Sequence, residues 1–193
     1  MSFILLGILN SQVSGAAGAS YELIETVNVT GSTTTDITFS GISTEYKHLE
    51  LRGTIKSLKD AFDDVAFINL NNDLYGGSSV YTYHWMYGNG SSVASGGSGT
   101  TARTYMRINQ FNANRVNETY HWSPIVVSLL DTGNTNKNTT IRHMVGSNYA
   151  TGSGQIYLSS GSYMNTDAIT KITFKSSWYL AAGSRLSLYG IRG

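Results

Sequence analysis

Alternation of apolar and polar residues is the feature that most restricts how this chain can fold. The segments Ile37-Thr38-Phe39-Ser40 and Leu186-Ser187-Leu188 show it clearly. Successive side chains of a strand point to opposite faces, so a period of two indicates a strand with one buried face. Clusters of Gly, Asn, Ser and Thr, which favour turns, separate the runs. The alternating runs predict strands at 21–29, 36–42, 47–58, 64–70, 79–87, 104–111, 119–130, 139–145, 155–158, 169–175 and 185–191.

Short strands at this spacing, without a helical period between them, predict an all-β sandwich or barrel. A length of 193 residues suits one domain, and we assign residues 21–193 to it. Residues 88–101, rich in Gly and Ser, are expected to form a long exposed loop within this domain. Pro124 interrupts one run, which therefore predicts two separate strands or an edge strand there.

Residues 1–20 have a different character and predict an N-terminal arm followed by a hinge. An apolar run is followed by small residues up to position 19. No Lys or Arg precedes the run, unlike in a signal peptide, and the run is too short to span a bilayer. We therefore predict that the arm anchors the domain to a neighbouring subunit of a particle. The predicted docking residues are Phe3, Ile4, Leu5, Leu6, Ile8 and Leu9.

Charge is scarce and nearly balanced, at 13% of residues and a net charge of +1. This argues against broad electrostatic capture of nucleic acid. Acids concentrate before residue 74 and bases after it, which indicates either head-to-tail contact between protomers or, as we favour, pairing within one chain. The chain has no cysteine. Disulfides and zinc–thiolate sites are therefore excluded, and assembly in a reducing cytoplasm is favoured.

Residue patterns that signal catalysis or metal binding are missing from the sequence. There is neither a G-x-S-x-G elbow nor a Ser-x-x-Lys motif, and the glycine-rich stretches lack a phosphate-binding Lys. Asp63 and Asp64 are adjacent, so in a strand they point to opposite faces. We interpret them as acids at a turn or strand edge, with a calcium site as the weaker alternative. His84 and His121 would approach each other only if their strands paired, and we favour separate surface histidines. The sequence thus predicts a protein that is not an enzyme and has no metal or cofactor.

Aromatic residues offer a second kind of candidate surface. Tyr81, Tyr83, Trp85 and Tyr87 share one face of a predicted strand, and a buried core face is the favoured interpretation. The alternative is that some aromatic side chains stack on sugar rings of a host glycan. The residues predicted for that contact are Trp85, Tyr87, Asn89 and Trp122.

Several stretches from residue 21 onwards together resemble small virion proteins of tailed bacteriophages, variously described as head-decoration, cement or tail-fibre components. They read YELIET at 21–26, ITFSGI at 37–42, YKHLELR at 46–52, INLNND at 68–73, HWMYGNGSS at 84–92 and SRLSLYGIR at 184–192. The resemblance implies a jelly-roll domain, commonly trimeric, that is added to a capsid or tail by an N-terminal anchor. It brings no catalytic residues with it.

The resulting expectation is an all-β, jelly-roll-like antiparallel β-sandwich with an extended N-terminal arm, acting as a virion structural protein. The leading role is capsid decoration or cement, with the protein itself as a homotrimer and the major capsid protein as partners. The alternative role is a tail-fibre or receptor-binding protein that contacts host glycan. Assembly is expected in the host cytoplasm, with neither nucleic acid nor a membrane as a partner.

Overall fold

The computed structural model describes residues 20–73, 78–98, 101–115 and 120–193. The predicted arm residues 3–9 lie outside the described residues. None of the described residues forms a helix, so none of them provides a helix able to cross a membrane. The strands are β1 (Tyr21–Asn28), β2 (Asp36–Ser40), β3 (His48–Ile55), β4 (Asp63–Leu70), β5 (Tyr81–Gly88), β6 (Val93–Gly97), β7 (Met106–Asn112), β8 (Ser123–Leu130), β9 (Thr139–Asn148), β10 (Gly154–Tyr163), β11 (Lys171–Ser176) and β12 (Arg185–Ile191).

The twelve strands form two antiparallel sheets, which confirms the predicted all-β sandwich. The larger sheet has the order β1-β12-β3-β8-β9-β10-β5-β6 and the smaller one β2-β11-β4-β7. Eight of these strands pair in reverse order along the chain: β1 with β12, β2 with β11, β3 with β8, and β4 with β7. The first part of the chain therefore runs back along the last part.

The other four strands, β9, β10, β5 and β6, continue the larger sheet beyond β8. We call these four strands the sheet extension. On the inner side, β7 of the smaller sheet packs against β9 and makes fewer contacts with β10 and β5. The smaller sheet therefore covers the extension only in part: Tyr81 and Tyr163 are fully buried, whereas Trp85 and Tyr87 are partly buried.

The core lies between the two sheets and follows the alternation of the sequence. Its largest fully buried side chains are Tyr81, Tyr163, Phe39, Phe111, Phe174, Ile37, Leu49, Leu51, Ile55, Ile68, Leu70 and Met106. Burying one such aliphatic or Phe side chain contributes about 1.5–3 kcal/mol relative to leaving it in water. Burial of the inward-pointing side chains of these alternating strands is therefore the main source of the stability of this fold.

Two local predictions are wrong. Residues 88–101 do not form one long loop, because β6 lies within them and pairs with β5. Glycine lets this strand approach its neighbour closely, since a Cβ at Gly96 would lie 2.5 Å from the Trp85 ring.

Pro124 lies neither at a break between strands nor in an edge strand. It is the second residue of the interior strand β8, and pairing with β9 begins only at Ile125. Proline is tolerated near the start of a strand, and the β8–β9 ladder has not yet begun at this position.

Ion pairs within one molecule join charges from the acidic first part of the chain to charges from the basic last part. Lys175 Nζ lies 3.1 Å from Asp36 Oδ1 across the β11–β2 pair. Arg192 joins Glu22 and Glu45 at 3.4 and 2.9 Å. Acids of the first part of the chain thus meet bases of the last part, as the favoured interpretation predicted.

Gly53 of β3 is a position where the backbone of β12 leaves no space for a side chain. A Cβ there would overlap the Arg185 carbonyl oxygen and lie 3.0 Å from Leu186 Cδ2. We expect Gly53→Ala to lower the free energy of unfolding by about 1–3 kcal/mol, measured by urea denaturation. Gly31→Ala is the control, because a Cβ at Gly31 meets no atom within 4 Å. Equal urea midpoints for the two variants would contradict the prediction.

Candidate functional site

The outer face of the larger sheet carries a row of apolar side chains that crosses four strands. Val126 of β8 pairs with Met144 of β9, Met144 with Leu158 of β10, and Leu158 with Met86 of β5. Their neighbours along each strand point inward, so these four side chains share the face turned away from the smaller sheet. We call Val126, Met144, Leu158 and Met86 the outer apolar row.

This row is open to solvent. Met86 is 51% exposed, Leu158 49% and Met144 43%, and Ile156 beside them is also 49% exposed. The row lines a shallow trough of about 650 Å³ that Arg142 borders on one side. The solvated face of an antiparallel sheet is usually polar. A contiguous apolar surface in that position therefore indicates a binding surface.

Charge divides the outer face into two halves. β8 and the four strands of the sheet extension contain no Asp, Glu or Lys and a single arginine, Arg142. The half formed by β1, β12 and β3 is polar: Arg52 pairs with Glu50, and Tyr21 Oη donates to Glu50 Oε1 at 2.9 Å. The apolar half is therefore suited to an uncharged, apolar partner.

On the inner face of the sheet extension, three aromatic side chains form a cluster. The ring centroid of Tyr157 lies 5.9 Å from that of Trp85 and 5.0 Å from that of Tyr87. Trp85 and Tyr87 are partly buried against the core, whereas Tyr81 and Tyr83 farther along β5 are buried within it. The favoured prediction of a core face is therefore confirmed for this strand. We call Trp85, Tyr87 and Tyr157 the aromatic cluster.

A hydrogen-bonded chain of polar groups borders this cluster. Tyr157 Oη donates to Gln110 Oε1, and Gln110 Nε2 donates to Asp63 Oδ1 at 3.1 Å. Tyr149 Oη donates to the other oxygen of Asp63 at 3.2 Å. Burial raises the pKa of the Asp63 carboxyl above its usual value and that of Tyr149 to about 12. Asp64, the next carboxylate along the chain, is buried on the opposite face of β4, so the two do not form the facing pair that glycosidase chemistry uses.

The four residues predicted to contact glycan do not form one site. Trp122 precedes β8, where the Lys56 ammonium lies 6.0 Å from the centre of its ring. Asn89 is exposed in the β5–β6 turn, and its Oδ1 accepts from the backbone N–H of Ser92 at 2.8 Å. Two strands separate β8 from β5, a distance of about 14 Å at the usual strand spacing. Trp122 therefore lies apart from Trp85 and Tyr87, whereas Asn89 follows Tyr87 in the turn at the end of β5.

The same strand order separates His84 from His121, because β9 and β10 lie between β5 and β8. No cluster of three potential metal ligands occurs in the parts of the chain that the structure describes. The outer apolar row was not predicted from the sequence. Its signal is present in His143-Met144-Val145 and Ile156-Tyr157-Leu158, where consecutive non-polar or weakly polar residues indicate strands with two apolar faces.

Fold and surfaces together define a two-sheet β-sandwich with an apolar outer face on its larger sheet. No protein-family model, curated protein or solved structure matches this chain.

Proposed function

We propose that this chain is a non-enzymatic structural protein of a bacteriophage virion, a capsid decoration or cement protein. In this proposal residues 3–9 dock the protein on a neighbouring subunit of the particle, and the β-sandwich associates with copies of itself as a homotrimer. The observation that carries the proposal is the outer apolar row. An apolar sheet face of this kind is stabilised when another protein surface covers it.

Strand pairing supports the jelly-roll part of the proposal. In a jelly roll eight strands form two Greek keys across two sheets. Here β1, β3, β8 and β12 lie in one sheet and β2, β4, β7 and β11 in the other, and the first half pairs in reverse order with the second. The sheet extension is then an addition to this framework, and it carries the apolar face.

A decoration protein stabilises its particle by mass action. It binds the assembled shell and not the separate shell subunits, so its binding free energy opposes disassembly. Burying a face whose strands β8, β9, β10, β5 and β6 carry a single Arg and no Asp, Glu or Lys fits this role, because few charged groups then have to be desolvated.

A second candidate function is that of a receptor-binding protein of the tail. The observation that favours it is the partly buried pair Trp85 and Tyr87 beside the polar groups of Gln110 and Asp63. Glycan sites combine an apolar surface with a few positioned hydrogen-bonding groups in this way. We rank this function second because the rings of the aromatic cluster also pack against the core.

Localisation of the chain in purified particles by cryo-electron microscopy tests the two functions. We expect density on the icosahedral shell, in trimers that bridge major capsid subunits. A variant lacking residues 1–9 should remain folded by circular dichroism, fail to join the particle and leave it less resistant to heat. Density at the tail or fibre tip would overturn the decoration role, and particles without the chain would then remain intact but fail to adsorb to the host.

A further inference from the structure

We propose that the outer apolar row is the docking surface for residues 3–9 of a neighbouring copy of this chain. The proposal deepens the proposed function. It rests on that function in one respect: copies of the chain have to meet in an assembly. The surface that receives the arm then belongs to another copy of the same protein.

Chemistry and size match between the two surfaces. Residues 3–9 read FILLGIL and carry no charged side chain. The row crosses three strand spacings, or about 14 Å. Seven extended residues span up to about 23 Å, so the segment is long enough to cover the row.

The position of the arm's attachment favours a neighbouring copy over the same copy. The first strand, β1, lies at one edge of the larger sheet as described, and the outer apolar row lies beyond β12 and β3. Within one copy the arm would have to cross this polar half, including the Glu50–Arg52 pair. Residues 10–19 reach up to about 35 Å when extended, about seven strand spacings, so a copy that lies beside the β1 edge is within reach of the arm.

Such a contact joins two different surfaces head to tail. Repeated with a closing rotation, it gives a ring, and three copies would form a trimer. A face-to-face dimer through the same row is less favourable, because it would cover Arg142 of both copies with surfaces that have no carboxylate. Docking of an uncharged arm leaves Arg142 at the margin of the contact.

Absence of cysteine from the chain allows a direct test on the purified full-length protein. Leu6→Cys and Met144→Cys are made as separate variants with tags of different size, mixed and mildly oxidised. A disulfide between the two is then necessarily intermolecular, and it requires Cα atoms within about 7 Å. We expect it to form roughly tenfold faster than with Ser40→Cys, an exposed site on the smaller sheet.

Leu158→Cys, in the same row, serves as a second acceptor, and circular dichroism checks that each variant is folded. Equal rates for the row and Ser40 acceptors would overturn the proposal, as would a purely intramolecular disulfide in the Leu6→Cys/Met144→Cys double variant. This test needs no particle, so its failure is distinct from that of the decoration role. A chain found at the tail but with arms trapped on neighbouring copies would sustain the inference and overturn the decoration role.

Discussion

Replacement of Asp64 by alanine is expected to lower the free energy of unfolding by about 2–4 kcal/mol. This β4 side chain is 1% exposed. Its oxygens accept from Ser57 Oγ at 2.7 Å and from the Val65 backbone N–H at 2.9 Å, and Lys59 Nζ lies 3.6 Å away. Ser177 Oγ donates to it as well. Alanine would leave the buried Ser57 hydroxyl without its acceptor and remove the contacts to Val65, Ser177 and Lys59, and urea denaturation at neutral pH measures the loss.

Asp36→Ala is the matched control, because it removes the same side chain from an exposed ion pair with Lys175. Exposed pairs contribute about 0–1 kcal/mol. The comparison therefore separates the buried network from the loss of one negative charge. Similar losses in the two variants would show that the Asp64 network does not contribute as described.

Acid is expected to destabilise the protein through His143, by up to about 3 kcal/mol near pH 4. The imidazole is buried on the inner face of β9, and neither ring nitrogen has a hydrogen-bond partner among the described residues. Burial lowers its pKa from 6.5 to about 4. Between these two pH values the unfolded chain binds a proton that the folded protein does not. The free energy of unfolding therefore falls as the pH drops from 6.5 to 4, and this contribution levels off below pH 4.

The variant His143→Leu has a side chain of similar size and no titrating group. We expect it to lose less stability than the unchanged protein between pH 7 and pH 4.5, because the buried imidazole no longer contributes. His84→Gln, at an exposed position of β5, should behave like the unchanged protein. The His143 account is wrong if His143→Leu and the unchanged protein show the same loss over this range.

Both positions show how little a local pattern reveals about polar groups. Asp64 follows Asp63 near a predicted turn, which suggested an acid at a turn or strand edge. Its burial depends on Ser57 and Ser177, which are distant from each other in sequence and meet only across the folded chain. Likewise, His143 falls on the inward phase of β9 between Ile141 and Val145. The alternation predicts that this side chain points inward, but it does not show that the imidazole nitrogens lack a hydrogen-bond partner among the described residues.

The sequence by itself determined the strands and the inward phase of most of them. Alternation located eleven of the twelve strands, because the period of two is a local property of each segment. The sequence did not predict β6, since its glycines show no alternation. Pairing with β5 holds this strand in the sheet. The tertiary structure alone decided which strands are neighbours. Val126, Met144, Leu158 and Met86 form one apolar row only because three registers align four strands, and such registers depend on contacts between residues far apart in sequence.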